Sequence, residues 1–173
     1  ERIAGYKGHV VFPIKVVPAD PQSPVTLKVS GLIGVCADIC IPVSVSLSVT
    51  TGTLAGTNFD ENSALLMGFS NLPRKPSETH RIVTATLDKA GNRLLIDAIV
   101  PQSAGKAALL VEGPQEWSLQ PGELETREGG TARFSVALID LPKDADVFAE
   151  KLRFTLLADK AAIEQTIAAV AGQ

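Results

Sequence analysis

Gly34-Val35-Cys36-Ala37-Asp38-Ile39-Cys40-Ile41-Pro42 is the stretch that decides how this chain is read, because it holds both of its cysteines. Three residues separate them. Upstream, Val25, Leu27 and Val29 fall on every second position; downstream, Val43, Val45, Leu47 and Val49 alternate with Ser44, Ser46 and Ser48. Period-two alternation on both sides of a short insert is the pattern of a hairpin. A three-residue loop sets Cys36 and Cys40 opposite each other where the strands meet. Facing residues of an antiparallel pair have Cα atoms about 4.5–5.5 Å apart, within disulfide reach. Such a pair can close and reopen with little backbone movement, which suits a redox couple.

Other chemistries compete for the same two residues. A structural staple is one, although a bridge across so small a loop removes little unfolded-state entropy compared with one closing a long loop. Two inert buried thiols are another, but they leave the position beside a turn unexplained. Cys-x3-Cys with a distant histidine, His9 or His80, also suits Cu(I), a soft ion that favours thiolates.

Three segments in order carry a family resemblance: Gly5-Tyr6-Lys7-Gly8-His9-Val10-Val11-Phe12-Pro13-Ile14, then Val17-Pro18-Ala19-Asp20-Pro21, then Gly34 to Pro42. Together they resemble the N-terminal periplasmic domain of the DsbD/ScsB protein-disulfide reductases. The Cys-x-Asp-x-Cys-x-Pro core is the most specific part, and the match is strong up to about Thr50 and weaker beyond. The close spacing of the cysteines points to the ScsB-like branch, which is linked to copper tolerance. The resemblance implies an immunoglobulin-like fold in the periplasm, as part of an inner-membrane protein, with Cys36 and Cys40 exchanging disulfides without a cofactor. A membrane-embedded reductase domain would be the electron donor and oxidised thioredoxin-fold proteins the acceptors. Cys40 would form the mixed disulfide and Cys36 would resolve it, with Ile39, Ile41 and Pro42 as an apolar docking rim. Asp38, between the cysteines, reads either as a turn former or as a charge that raises the thiol pKa values and tunes the potential.

An immunoglobulin-type sandwich takes roughly 100 residues and seven strands. The cysteine-bearing segment offers about three, at His9–Val17, Pro24–Gly31 and Ile41–Thr51. The chain opens at Glu1 inside a family motif, so it reads as the C-terminal part of that domain, with further strands and an export signal upstream. Open strand edges in such a half-domain invite association, including with a second copy.

Composition narrows the partners. Net charge is −3 and the isoelectric point is near 5.4, so no basic field attracts nucleic acid or anionic lipid. Hydrophobic residues make up 45%, enough for a core. There is no apolar run of about 18 residues of the kind that spans a bilayer.

The rest of the chain divides into a linker and a second lobe. Thr51-Gly52-Thr53-Leu54-Ala55-Gly56-Thr57-Asn58 reads as a linker. Asp60 to Phe69 reads as a short helix with acidic residues at its start and Leu65, Leu66 and Phe69 as its apolar face; Leu72-Pro73-Arg74-Lys75-Pro76 stops it. Strand signals then recur at Ile82–Leu87, Leu94–Val100, Lys106–Val111, Gly122–Arg127, Thr131–Ile139, Leu152–Leu157 and Ala162–Ala169, the last fitting a helix equally well. Seven short strands at this spacing predict a second β-sandwich. The expected fold is therefore all-β, with a partial cysteine-bearing domain over 1–52, a linker with a helix over 53–76 and a sandwich over 77–173. The second lobe shows no catalytic constellation. His9 and His80 read as strand-start residues, and Trp117 as a core or loop-anchoring ring.

Overall fold

The computed structural model describes residues 5–20, 22–37, 39–50, 59–90, 92–139 and 141–172. They form two compact units, one spanning Val10–Ser70 and the other comprising Glu1–His9 with Asn71–Gln173. The expected linker at Thr51–Asn58 lies outside the described residues.

In the first unit, β1 (Thr26–Cys36) and β2 (Cys40–Thr50) form a two-stranded antiparallel ribbon. Its register is unbroken from Thr26 opposite Thr50 to Cys36 opposite Cys40. The strand expected over His9–Val17 is absent: no strand is present there. Pro13 removes a ladder donor inside the span and Pro18 stops it just beyond, and the segment lies against a helix instead. That helix is α1 (Phe59–Ser70), close to the span expected. Its contact with the segment is at Gly68, where an added Cβ would fall 2.9 Å from Cγ1 of Val11 and 3.5 Å from Pro13. The expected apolar face is therefore wrong. The side chain that must be missing decides the packing, and Leu65, Leu66 and Phe69 remain exposed.

The second unit is a sandwich. β3 (Arg81–Asp88), β4 (Arg93–Ile99), β6 (Glu123–Glu128), β7 (Thr131–Ala137) and β10 (Val170–Ala171) make a five-stranded sheet in the order β10-β3-β4-β7-β6. β5 (Ala107–Glu112), β8 (Lys151–Ala158) and β9 (Ala161–Ala168) make the three-stranded sheet β5-β8-β9. All seven expected strands are present. The ambiguous last segment is a strand that leaves one sheet at Ala169 and enters the other, where β10 runs parallel to β3.

Alternation builds the core. Leu94, Ile96 and Ala98 of β4 face Val136, Phe134 and Ala132 of β7, and Leu109 and Val111 of β5 face Leu156 and Phe154 of β8. All of these are buried. Gln165 ties the sheets together: its side-chain carbonyl accepts from the Ile82 N–H at 2.9 Å, and its amide donates to the Ile82 carbonyl at 3.1 Å. Asn92 sits at φ 45° in the β3–β4 turn, a conformation asparagine tolerates, and its amide donates to the Leu138 carbonyl at 2.8 Å. Trp117 is in the core as expected, pinned by its backbone N–H donating to Pro114 at 2.9 Å.

Candidate functional site

Cys36 ends β1 and Cys40 begins β2, and the two are direct cross-strand partners. They are joined as a disulfide, with Cα atoms 4.0 Å apart and an S–S length of 2.05 Å. The turn between them is closed by the Ala37 N–H donating to the Ile39 carbonyl at 3.1 Å. The sequence expectation of an opposed pair at a three-residue loop holds. Asp38 lies outside the described residues.

Successive side chains of a strand point to opposite faces, so the register sorts the ribbon into two sides. Cys36, Gly34 and Leu32 share a face with Cys40, Pro42 and Ser44. Farther from the tip the same face carries Ser30, Lys28 and Thr26 opposite Ser46, Ser48 and Thr50. The other face is wholly apolar: Val35, Ile33, Gly31, Val29 and Leu27 stand opposite Ile41, Val43, Val45, Leu47 and Val49.

The expected docking residues are thus split. Pro42 shares the disulfide face, Ile41 lies on the apolar face, and Ile39 projects from the turn at 74% exposure. Sequence reasoning missed Val35, which is 56% exposed and pairs directly with Ile41. Its signal was symmetry: it precedes Cys36 by one residue as Ile41 follows Cys40 by one. Both cysteines are exposed, so burial does not distinguish an attacking from a resolving sulfur. Gly34 adds to the openness, since an added Cβ there would come within 3.8 Å of the Cys36 sulfur.

The histidines stand apart from this chemistry. His9 is exposed. His80 is enclosed in the sandwich, 6% exposed, with its Nε2 lacking a hydrogen-bond partner. Burial lowers its pKa below the ordinary imidazole value, and a hydrogen bond to the backbone of Leu156 opposes that shift. Among the described residues no three or more His, Cys, Asp or Glu side chains cluster as a metal site, and no helix is long and apolar enough to cross a membrane.

No protein-family model matches the chain, and no curated protein matches its sequence. Its structure is similar to the crystal structure of the N-terminal periplasmic domain of ScsB from Proteus mirabilis, with a TM-score of 0.60 at 15% sequence identity. The match covers 84% of this chain and 58% of that one, so this chain spans little more than half of the solved domain. At that identity the likeness establishes architecture: the chain has the β-sheet fold of the N-terminal periplasmic domain of ScsB.

Proposed function

We propose that the chain is a periplasmic thiol–disulfide exchange module of the DsbD/ScsB type, working through Cys36 and Cys40. The observation that carries this reading is a solvent-exposed disulfide between directly opposed cysteines at the tip of a hairpin, on a fold shared with an ScsB periplasmic domain. A disulfide exchanges only if a thiolate can reach one of its sulfurs along the S–S axis, and the tip leaves that approach open.

In the reducing direction the Cys40 thiolate attacks one sulfur of a partner's disulfide. A Cys40–partner disulfide forms, and the partner's other sulfur leaves as a thiolate and takes a proton. Cys36 then gives up its proton and its thiolate attacks Cys40 Sγ, releasing the partner's second sulfur. Two electrons and two protons pass to the partner, and Cys36–Cys40 is left oxidised. A membrane-embedded reductase domain would restore the dithiol, and thioredoxin-fold proteins would be the acceptors. Ile39 at the turn and Pro42 on the disulfide face of the ribbon would supply the apolar contact.

Thiol trapping across a redox titration tests this. A reduction potential above about −300 mV supports exchange, whereas a lower one marks a structural staple. Stoichiometric Cu(I) uptake by the dithiol, without exchange, would replace the proposal by metal binding. The division of labour is read from single variants supplied with an oxidised thioredoxin-fold partner. Cys36→Ser should accumulate mixed disulfides through Cys40, and Cys40→Ser should trap little. Equal trapping by both would remove the assigned order and keep the redox function; trapping by neither would overturn it.

A further inference from the structure

On the disulfide face of the ribbon the positions next to the cysteines are Gly34 and Pro42, and after them Leu32 and Ser44. A glycine inside a strand weakens it, and neither the backbone nor the packing of β1 asks for one at position 34. Its φ lies outside the left-handed region; among the described glycines, positive φ belongs to Gly8 and Gly129. Apart from chain neighbours, a Cβ there would meet one atom within 4 Å, the Cys36 sulfur at 3.8 Å, an ordinary contact. What the glycine keeps free is the space above the ribbon beside the sulfurs. Leu32 bounds that space on its far side. It is 69% exposed, and it is the one large apolar side chain of β1 on this face, where Ser30, Lys28 and Thr26 follow it.

We propose that Gly34 and Leu32 are docking residues for the protein that exchanges with this disulfide. Gly34 admits the partner's backbone beside the sulfurs, and Leu32 meets an apolar patch next to the partner's reactive cysteine. The proposal rests on the exchange reading above. A mixed disulfide fixes the partner's sulfur to one cysteine of the pair, so partner atoms must lie over the neighbouring positions of this face, whatever covers them at rest. A specific interface takes about 800 Å² per partner, equivalent to a disc of about 16 Å radius. At about 3.4 Å per residue, Leu32 stands about 14 Å along β1 from Cys36, and Lys28 about 27 Å. The footprint therefore reaches Leu32 and stops short of Lys28, and the strand positions of this face inside it carry no charge. The S–S bond runs across the ribbon from one strand to the other, so an attack along its axis comes from beyond a strand edge. A small thiol on that path does not pass over position 34; a protein does.

Reduction of Cys36–Cys40 in the whole chain by reduced thioredoxin and by dithiothreitol, followed by thiol trapping, tests this. One thiolate of thioredoxin bonds to a sulfur of the pair while the other sulfur leaves as a thiolate. The second thioredoxin thiolate then closes thioredoxin's own disulfide and frees the dithiol here, so the mixed disulfide is the same one that forms in the reverse direction. Leu32→Ala and Gly34→Val should each lower the second-order rate with thioredoxin at least fivefold and the rate with dithiothreitol less than twofold. Ser48→Leu, on the same face about 27 Å from Cys40, should change neither. Unaltered amide exchange across β1 and β2 shows that the hairpin still forms; where Gly34→Val disturbs it, Leu32→Ala decides. Unchanged rates with thioredoxin, equal slowing with both reductants, or equal loss with Ser48→Leu would overturn the docking role and leave exchange standing. A wild-type disulfide that dithiothreitol reduces and thioredoxin does not would overturn the exchange reading and this proposal with it.

Discussion

Strands β4 and β1 follow the same alternating rule and end in opposite environments. In β4, Leu94, Ile96 and Ala98 are almost wholly buried, because β5 and β8 supply a second sheet above them. In β1, Ile33 and Val35 occupy equivalent alternate positions and stay exposed. Alternation therefore decides which face is apolar, but a second layer decides whether that face is buried. The difference also separates tasks. A closed core gives the sandwich a fixed shape, while a ribbon whose tip is open leaves two sulfurs in reach of another protein.

The sharpest way to break that contrast is to delete one large side chain from each region. Phe134→Ala in the sandwich should cost about 3–5 kcal/mol through lost burial and the cavity left behind, since Phe134 is fully buried. Leu47→Ala should cost under about 0.5 kcal/mol, as expected of an exposed position. Denaturant titrations followed by Trp117 fluorescence for the first and hairpin amide exchange for the second give both values. Comparable costs would mean that the ribbon face is already covered within one chain.

A fragment of residues 71–173 carries the same comparison to whole units. It retains Arg74, whose N–H donates to the Ala162 carbonyl at 2.8 Å and whose carbonyl accepts from Glu164 at 2.9 Å, so β9 keeps its neighbour. The fragment should unfold in one cooperative transition. A broad, non-cooperative melt would show that the sandwich depends on the ribbon.

Much of this was legible in the sequence. The seven sandwich strands were marked by strand signals at short, turn-bounded spacing, the last of them fitting a helix equally well, and the opposed cysteines followed from counting three residues between two alternating runs. The failures share a cause. His9–Val17 has strand-like alternation, but Pro13 and a helix contact override it. The packing face of α1 was misjudged because hydrophobic spacing highlights Leu65 and Phe69, whereas close approach selects Gly68, a residue with no side chain to notice. The crossing from β9 to β10 carries no local signal, since the sheet a strand joins is decided by tertiary pairing.

Within the sandwich, the tie between sheets should matter next. Gln165→Ala leaves the Ile82 N–H and carbonyl without their side-chain partners, and a part-buried polar group left unpaired costs about 1–3 kcal/mol. For a lobe of this size that lowers the melting temperature by several degrees, at about 4–8 °C per kcal/mol. A shift under about 1 °C would mean that water replaces the amide without loss.

A smaller effect is expected from acid. Burial holds His80 below the ordinary imidazole pKa in the folded state, so falling pH protonates the unfolded chain first. Its contribution is complete above about pH 6.5 and is lost as pH falls from there through the lower folded value. His80→Leu should therefore flatten the decline in sandwich stability between neutral and mildly acidic pH. An unchanged slope would remove His80 as its source; Asp97, whose bond from Arg133 at 2.7 Å holds its pKa below the ordinary carboxyl value, loses its contribution only at lower pH, below about 4.

Reducing the disulfide should disturb the sandwich least of all. The bridge joins residues four apart, and closing so short a loop is worth about 2 kcal/mol of unfolded-state entropy, against about 4.7 kcal/mol for a loop of 100 residues. All of that constraint lies within Val10–Ser70, and no strand of the sandwich is crosslinked. Dithiothreitol should therefore move the sandwich transition by less than about 1 °C while amide exchange accelerates across β1 and β2. If the transition falls by several degrees instead, the ribbon and the sandwich unfold together, and the separation between a closed lobe and an open disulfide-bearing tip does not hold.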